Sequence, residues 1–301
     1  MKKHTVLLAI IACLLWGSVF PFVKIGLTYL PPFTLAGLRF ITAGLLLVPL
    51  CFPYKQSIKE VKTHYKFIFL VSLFQTAYLY GSFFLGMSMV RGAQTAMIIG
   101  SSPIVAAFMA HFLMKNDLMS LKKALFQLVG FIGIVIISIA SQPWTDAGMK
   151  EFIGILILFS GTLVSIYANI LIAKNSGRMN PITLNSGQMM TGGAILLIFG
   201  LAREGVPNLA LPATFYMVFF WLSFVSAVGF SIWIWALQHT KVSELNMWKF
   251  LIPCVGAVSS WIILKKESPD IFSIAGLLLI IFAVIALSRV PSKQAGSLSQ
   301  S

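Results

Sequence analysis

The sequence predicts an all-α integral membrane protein with ten transmembrane helices, arranged as two inverted five-helix repeats. Three observations predict this fold: long uncharged apolar stretches, a low content of charged residues, and a weak internal repeat. Eight stretches of 18 residues or more contain no Asp, Glu, Lys or Arg. A helix of roughly 20 apolar residues crosses a hydrocarbon core about 30 Å thick. Only 10% of the residues are charged, whereas soluble domains average about 25%.

Turn residues divide the apolar sequence into ten spans, as the pair Pro31 and Pro32 does between the first two. Most charged residues in the spans lie at their ends, but the second span contains Arg39, and the ninth contains Glu244 and Lys249. The predicted spans are residues 5–24, 33–52, 67–89, 92–114, 122–141, 152–173, 181–202, 213–238, 242–264 and 270–288.

The distribution of basic residues predicts the orientation of the spans. Ten crossings place both termini on the same side, and the segments of that side hold fourteen Lys and Arg against six on the other. Cytoplasmic segments carry the excess of basic residues in membrane proteins. We therefore expect a multi-pass protein of the cell inner membrane, with both termini cytoplasmic and residues 290–301 as a disordered tail.

The remaining composition argues against several other classes of protein. The net charge of +14 comes mostly from loop cations that orient helices, so we expect no nucleic-acid partner. The three cysteines form no CxxC pair, and the four histidines are scattered, so neither a disulfide framework nor a metal site is predicted. No GxxxxGK[ST] motif occurs, so no nucleotide or other cofactor is expected.

The two halves of the chain resemble each other weakly. At a shift of 150 residues, Phe74 matches Phe224, Ala77 matches Ala227, Pro103 matches Pro253, Ala107 matches Ala257 and Lys115 matches Lys265. At a shift of 149 residues, Arg39 matches Gln188 and Gly44 matches Gly193. Five spans per half oblige the second half to enter the membrane from the opposite side. Such inverted repeats, predicted over residues 1–142 and 151–289, are typical of secondary transporters.

Several motifs occur in the same order as in a known family. They are Trp16-Gly-Ser with Phe20 and Lys24, Leu38-Arg39-Phe40 with Ala43, the mid-helix prolines Pro103 and Pro253, and the following turns Lys115-Asn-Asp117 and Lys265-Lys-Glu267. Together they resemble the drug/metabolite transporter superfamily, in its EamA-like branch. The resemblance covers residues 5–288, although the family usually has Gly-Glu where this chain has Asn116 and Asp117.

The resemblance implies a ten-helix bundle in a bacterial inner membrane that moves small metabolites without ATP hydrolysis. Members often export amino acids or related solutes, so a secondary exporter that works by alternating access is the first hypothesis, and an enzyme is not expected. Two alternatives stay open: a non-transporting scaffold or assembly subunit, and a membrane-embedded enzyme. The oligomeric state is left open.

Charged residues inside spans are the first candidates for function, because their burial in lipid is costly. Lys249 is interpreted as a cationic lining for a carboxylate-bearing substrate, or alternatively as a lysine that reaches the interface or pairs with Glu244. Glu244 is a possible proton-coupling residue, or alternatively an acid in the first turn of its helix. For Arg39, a structural role is favoured over a role in substrate binding.

Polar and aromatic residues complete the predicted substrate pathway. Polar side chains at helical spacing bridge helices or line a path, and either use places them inside the bundle. The polar candidates are Gln75, Tyr78, Asn169, Gln188 and Asn246, and the aromatic candidates are Trp16, Phe20, Trp233 and Trp248.

Overall fold

The computed structural model describes residues 3–90, 92–141, 148–208, 210–263 and 269–290. These residues form ten helices that are long and apolar enough to cross a membrane, as predicted, and no strand occurs among them. The turn at Lys265 and the tail from residue 291 lie outside the described residues. The helices are α1 (Lys3–Gly26), α2 (Pro32–Leu50), α3 (Tyr54–Met87), α4 (Gly92–Gly100 and Ser102–Leu113), α5 (Leu121–Ser141), α6 (Met149–Lys174), α7 (Pro181–Glu204), α8 (Ala213–His239), α9 (Val242–Ile263) and α10 (Ile271–Arg289).

The third helix begins earlier than the sequence predicted. The expected start was residue 67, but α3 begins at Tyr54, directly after Pro53. Residues 54–66 are rich in charged side chains, and a method that follows apolar runs does not extend a membrane span into such a segment. Lys, Glu and Gln are nevertheless good helix formers, and Gln56 donates a hydrogen bond to Glu60 four residues later, at 3.0 Å. His64 has non-helical backbone angles (φ −112°, ψ 19°), so the charged segment is helical but joins the membrane helix at a kink.

Two helices are interrupted at matching places in the two halves. α4 breaks at Ser101, two residues before Pro103, and α9 tightens into a 3-10 turn over Met247–Phe250, just before Pro253. Proline lacks an N–H and its ring clashes with the preceding turn, so it disfavours a regular helix on its N-terminal side. The matched prolines therefore account for matched breaks.

Equivalent helices of the two halves pack directly on each other in two pairs, α2 with α7 and α5 with α10. In the first pair, a Cβ built on Gly37 would lie 2.6 Å from the backbone nitrogen of Leu197, and one built on Gly44 would meet Met190. Residue numbers thus fall along α7 as they rise along α2, so the two helices are antiparallel. The glycines permit the close approach of the two backbones.

The other helices join these pairs to form two bundles. Bundle A contains α1, α2, α8 and α9, because α1 packs on α8 and α9, and α2 packs on α8. Bundle B contains α3, α4, α6 and α7, with the corresponding contacts of α6 on α3 and α4, and of α7 on α3. Replacing each helix by its equivalent in the other half converts one set of contacts into the other. The packing therefore agrees with two inverted repeats, and each bundle combines helices from both halves.

Acidic side chains from one half satisfy helix starts in the other. The Glu204 carboxylate, at the end of α7, accepts hydrogen bonds from the backbone nitrogens of Phe33 (2.9 Å) and Thr34 (2.8 Å) in the first turn of α2. The first N–H groups of a helix have no partner within the helix and favour a negative charge. Glu60 similarly accepts from the Asn180 nitrogen just before α7, at 2.9 Å. The Glu204 contacts fasten the end of α7 to the start of α2, and the Glu60 contact fastens α3 to the start of α7.

Replacing Gly37 by leucine should prevent the close packing of α2 on α7. The added side chain would meet the α7 backbone, which cannot rotate away, so we expect a destabilisation of about 3 kcal/mol or more. The yield of monodisperse protein and its melting temperature in detergent measure the effect. Gly81→Leu is the matched control, because nothing lies within 4 Å of a Cβ at Gly81. Equal losses in both variants would contradict the close α2–α7 contact.

Candidate functional site

Lys249 lies in the interrupted turn of α9 and is half-buried. Its Nζ atom sits 4.8 Å from the centre of the Trp233 ring, which α8 holds fully buried. Among the described residues it has no hydrogen-bonding or ion-pairing partner. A cation over an indole face is attracted by the ring quadrupole, but this contact leaves the three ammonium donors unused. Lys249 is therefore available to bind an acceptor.

Aromatic rings form a wall beside this lysine. The Trp16 ring of α1 lies 5.1 Å from the Trp233 ring and 5.0 Å from the Phe230 ring. Its Nε1 atom faces Gly229, where an added Cβ would come within 2.8 Å. The indole N–H groups of both tryptophans are buried and find no acceptor in the described part of the chain. The site thus combines apolar surface with several unused donors.

None of the described acidic side chains forms an ion pair with Lys249. They occupy connections, the ends of helices or the charged first part of α3, at Glu60, Asp117, Glu151, Glu204, Glu244 and Asp270. Positive charge in the interior of the bundle is therefore not balanced by the described acids. A bound anion is the simplest group that would balance it.

A polar network crosses from bundle B to bundle A. The Thr76 hydroxyl donates to Gln188 (2.5 Å), and the Gln188 amide donates to Asn185 (2.9 Å). Asn185 then donates to the Ser231 hydroxyl of α8 at 2.9 Å and to the Ala227 carbonyl oxygen at 3.1 Å. Such bonds join helices strongly where water does not compete. Gln188 is thus a buried bridging residue.

Gln75 and Asn169 form a separate pair in bundle B. The Gln75 amide donates to the Asn169 oxygen at 3.3 Å, and both side chains are at least 98% buried. The Gln75 oxygen and the Asn169 amide nitrogen have no partner in the described part of the chain. Water or a polar solute would satisfy these two groups, because buried polar atoms are rarely left unpaired.

The other predicted residues make contacts that do not include the lysine. Tyr78 is 42% exposed and its hydroxyl bonds Ser160 of α6, while Phe20 is 47% exposed beside Gly256. The Asn246 amide donates back to its own helix at the Val242 carbonyl, 2.9 Å away. Trp248 follows in the next turn and lines a cleft. Trp16, Trp233 and Lys249 are therefore the predicted residues that converge.

This cleft has a volume of about 430 Å³ and is lined by α1, α5, α9 and α10, with Trp248 and Glu244 in its wall. Glu244 lies in the first turn of α9 and 4.0 Å from Lys123 of α5. The predicted proton-coupling role of Glu244 stays a prediction. Its carboxylate lines the cleft at the end of the bundle where α1 begins and α10 ends.

Sequence reasoning missed the buried carboxylate of Asp117. This side chain is fully buried and accepts hydrogen bonds from the Ser243 nitrogen (2.8 Å) and from the Ser243 hydroxyl at the start of α9. It fastens the α4–α5 connection to the helix that carries Lys249. The family resemblance placed an acid in this turn, but no sequence signal identified Ser243 as its partner.

The paired antiparallel helices, the two mixed bundles and the uncompensated interior cation are features of a polytopic membrane transporter. The chain belongs to the EamA-like transporter family, whose profile matches residues 3–139 and 151–289. Both matched segments fall within the two predicted five-helix repeats. The predicted superfamily is thereby confirmed.

Individual relatives agree with this assignment. The uncharacterized transporter YvbV of Bacillus subtilis is 28% identical over 297 residues, which cover 97% of this chain and 94% of that protein. An uncharacterized transporter of Archaeoglobus fulgidus is 26% identical over 289 residues, covering 94% and 97%. One solved crystal structure matches with a TM-score of 0.80 at 13% identity, over 95% of this chain and 96% of that one. That structure supports the fold alone.

Replacing Asp117 by alanine should loosen the start of α9. The change leaves the Ser243 nitrogen and hydroxyl without their acceptor, and an unpaired buried donor costs about 1–3 kcal/mol. We expect a lower melting temperature in detergent and faster proteolysis near the α8–α9 connection. Asp117→Asn is the matched control, because it keeps an acceptor oxygen and should recover part of the loss. Equal stability of the alanine variant and the wild type would contradict this role.

Proposed function

We propose that this transporter is a secondary transporter of small organic anions, in which Lys249 binds the acidic group of the solute. The observation that carries the proposal is a half-buried lysine within the bundle, without an acidic partner among the described residues. Placing a lysine at the centre of a membrane helix costs roughly 2.5–3.5 kcal/mol on insertion scales. A lysine that is retained inside a membrane helix despite this cost indicates that its positive charge has a function.

The surroundings of Lys249 fit a carboxylate-bearing metabolite. A charged donor and a carboxylate form hydrogen bonds about twice as strong as neutral ones. The rings of Trp16 and Trp233 supply apolar surface for the carbon skeleton of the solute. Binding sites for small molecules commonly combine apolar walls with a few polar groups.

Unequal packing at the two ends of the bundle supports alternating access. The first part of α9 packs on the second part of α4, at the end where α1 begins and α10 ends. At the other end, the described residues of the first part of α4 and the second part of α9 show no comparable packing. Inverted repeats exchange two such arrangements when one bundle rocks against the other. We infer that the opposite arrangement opens the side that is packed here.

The direction of transport follows from the resemblance to exporters. We propose export of amino acids or related acids across a bacterial inner membrane, with both termini in the cytoplasm. The excess of basic residues on the side of the termini supports this orientation. The names of the relatives say only that they are transporters, which supports a function other than catalysis.

Replacing Lys249 by glutamine should abolish anion transport. The variant keeps a polar side chain of similar length but loses the charge that binds the carboxylate, so we expect at least a tenfold loss of affinity. Counterflow of radiolabelled amino and organic acids in proteoliposomes measures it. Lys122→Gln is the matched control, because Lys122 is an exposed lysine at the start of α5. Wild-type counterflow in the Lys249 variant would refute the proposal.

Proton coupling through Glu244 is tested separately. A Glu244→Gln variant should keep counterflow, which needs no proton gradient. The same variant should lose net transport driven by a pH gradient. The physical reason is that the amide cannot accept and release a proton. The pH dependence of net flux in proteoliposomes is the measurement. A variant with unchanged pH-driven flux would remove Glu244 from the coupling mechanism.

A further inference from the structure

Arg39 is a second cation inside the bundle. Its side chain is 7% exposed in α2, and its Nε atom donates to the Ser226 hydroxyl (2.7 Å) and to the Leu222 carbonyl oxygen (3.1 Å) of α8. The two terminal nitrogens of the guanidinium make no hydrogen bond or ion pair within the described ranges. The side chain therefore ties α2 to α8 through one nitrogen and leaves the other two unused.

The second half of the chain makes the equivalent tie without a charge. Gln188 matches Arg39 at a shift of 149 residues, and Thr76 matches Ser226 at a shift of 150. In bundle B, Gln188 of α7 bonds Thr76 of α3 at 2.5 Å, just as Arg39 of α2 bonds Ser226 of α8 in bundle A. A neutral amide thus suffices to join these helices. The positive charge at Arg39 is not needed for the tie.

The position of Arg39 relates it to the Lys249 site. Ser226, which holds Arg39, and Trp233, which lies under Lys249, are seven residues apart on α8. Two helical turns separate them by about 10 Å along one face. Phe230 lies between them, 5.0 Å from the Trp16 ring and 6.5 Å from the Phe40 ring. One aromatic surface therefore connects the two cations.

The chemistry of a guanidinium suits an acidic group. Its terminal nitrogens form a planar fork that binds a carboxylate through two parallel hydrogen bonds, which a lysine cannot do. From the unused fork, the neutral equivalent at Gln188 and the shared face of α8, we propose that Arg39 binds a second acidic group of the solute. The transported solute is then a dicarboxylate or an acidic amino acid, with one carboxylate at Lys249 and the other at Arg39.

This inference rests on the proposed function, and ligands with one or two acidic groups separate the two. Purified protein is titrated with succinate, glutarate and adipate, and with the monomethyl ester of each, and affinity is read from the thermal shift. The wild type should bind at least one diacid tenfold or more tightly than its monoester. Arg39→Gln should remove this preference and change monoester affinity less than twofold. Lys249→Gln should weaken both ligands.

Two further variants distinguish binding from a structural role. Arg39→Lys keeps the charge without the fork, so it should restore part of the preference for the diacid. Gln188→Ala removes the matched neutral tie, so it should lower stability and leave the ratio of diacid to monoester affinity unchanged. A structural role for Arg39 would move the melting temperature of the ligand-free protein and leave that ratio unchanged as well.

Each failure has a distinct meaning. Equal ratios in the wild type and in Arg39→Gln would overturn the second site, while dependence on Lys249 would preserve the proposed function. Failure of Arg39→Gln to fold would also overturn it, because a neutral tie would then be insufficient. Absence of any acid binding that depends on Lys249 would refute the proposed function and this inference together.

Discussion

Each half of this chain contributes an odd number of membrane spans, and this constraint determines the rest of the architecture. Equivalent helices must run in opposite directions, so they can face each other across an axis between the halves. The α2–α7 and α5–α10 pairs do so, with glycines such as Gly37 and Gly133 at their closest approach. The remaining helices pack around these pairs in two bundles of mixed origin. The interior between the bundles is therefore lined by both halves of the sequence.

The residues that we propose bind the solute lie where the two halves differ. Lys249 corresponds to Ile99 at a shift of 150 residues, and Arg39 corresponds to Gln188 at a shift of 149. Both interior cations therefore occur once, and both contact α8, within bundle A. The paired amides of Gln75 and Asn169 occur only in bundle B. The near-symmetric scaffold thus holds an asymmetric set of polar groups, as the binding of an asymmetric solute requires.

Most of the fold was predictable because lipid imposes a simple rule on sequence. Backbone groups in the membrane must be satisfied within helices, so long apolar runs predict the number of helices, and the parity of the halves predicts their direction. The early start of α3 at Tyr54 was not predictable from apolar runs, because its first turns are charged. The pattern of apolar residues also did not indicate the π-helical turn over Ser72–Tyr78. Within this turn, Gln75 is buried whereas Tyr78 is exposed.

The site was predictable only in part. Lys249 was singled out because a charge is costly in lipid, and Trp16 and Trp233 as aromatic residues that can line a pocket, but their convergence depends on the packing of α1, α8 and α9. Thr76 and Ser226 are hydroxyl residues at equivalent positions of the two halves. Their role becomes visible only in the structure, where Ser226 bonds Arg39 and Thr76 bonds Gln188. Charge and periodicity locate candidates, whereas partners emerge only from tertiary structure.

The mixed composition of the bundles also bears on biosynthesis. When the ribosome has released only the first five helices, α1 and α2 lack α8, and Arg39 has no Ser226 to bond. An isolated half would complete both bundles only by associating with a second copy inserted upside down. Covalent fusion of the two halves removes that requirement and lets the sequence of each half change independently. A single chain can therefore carry Lys249 in one half and an uncharged residue at the equivalent position of the other half.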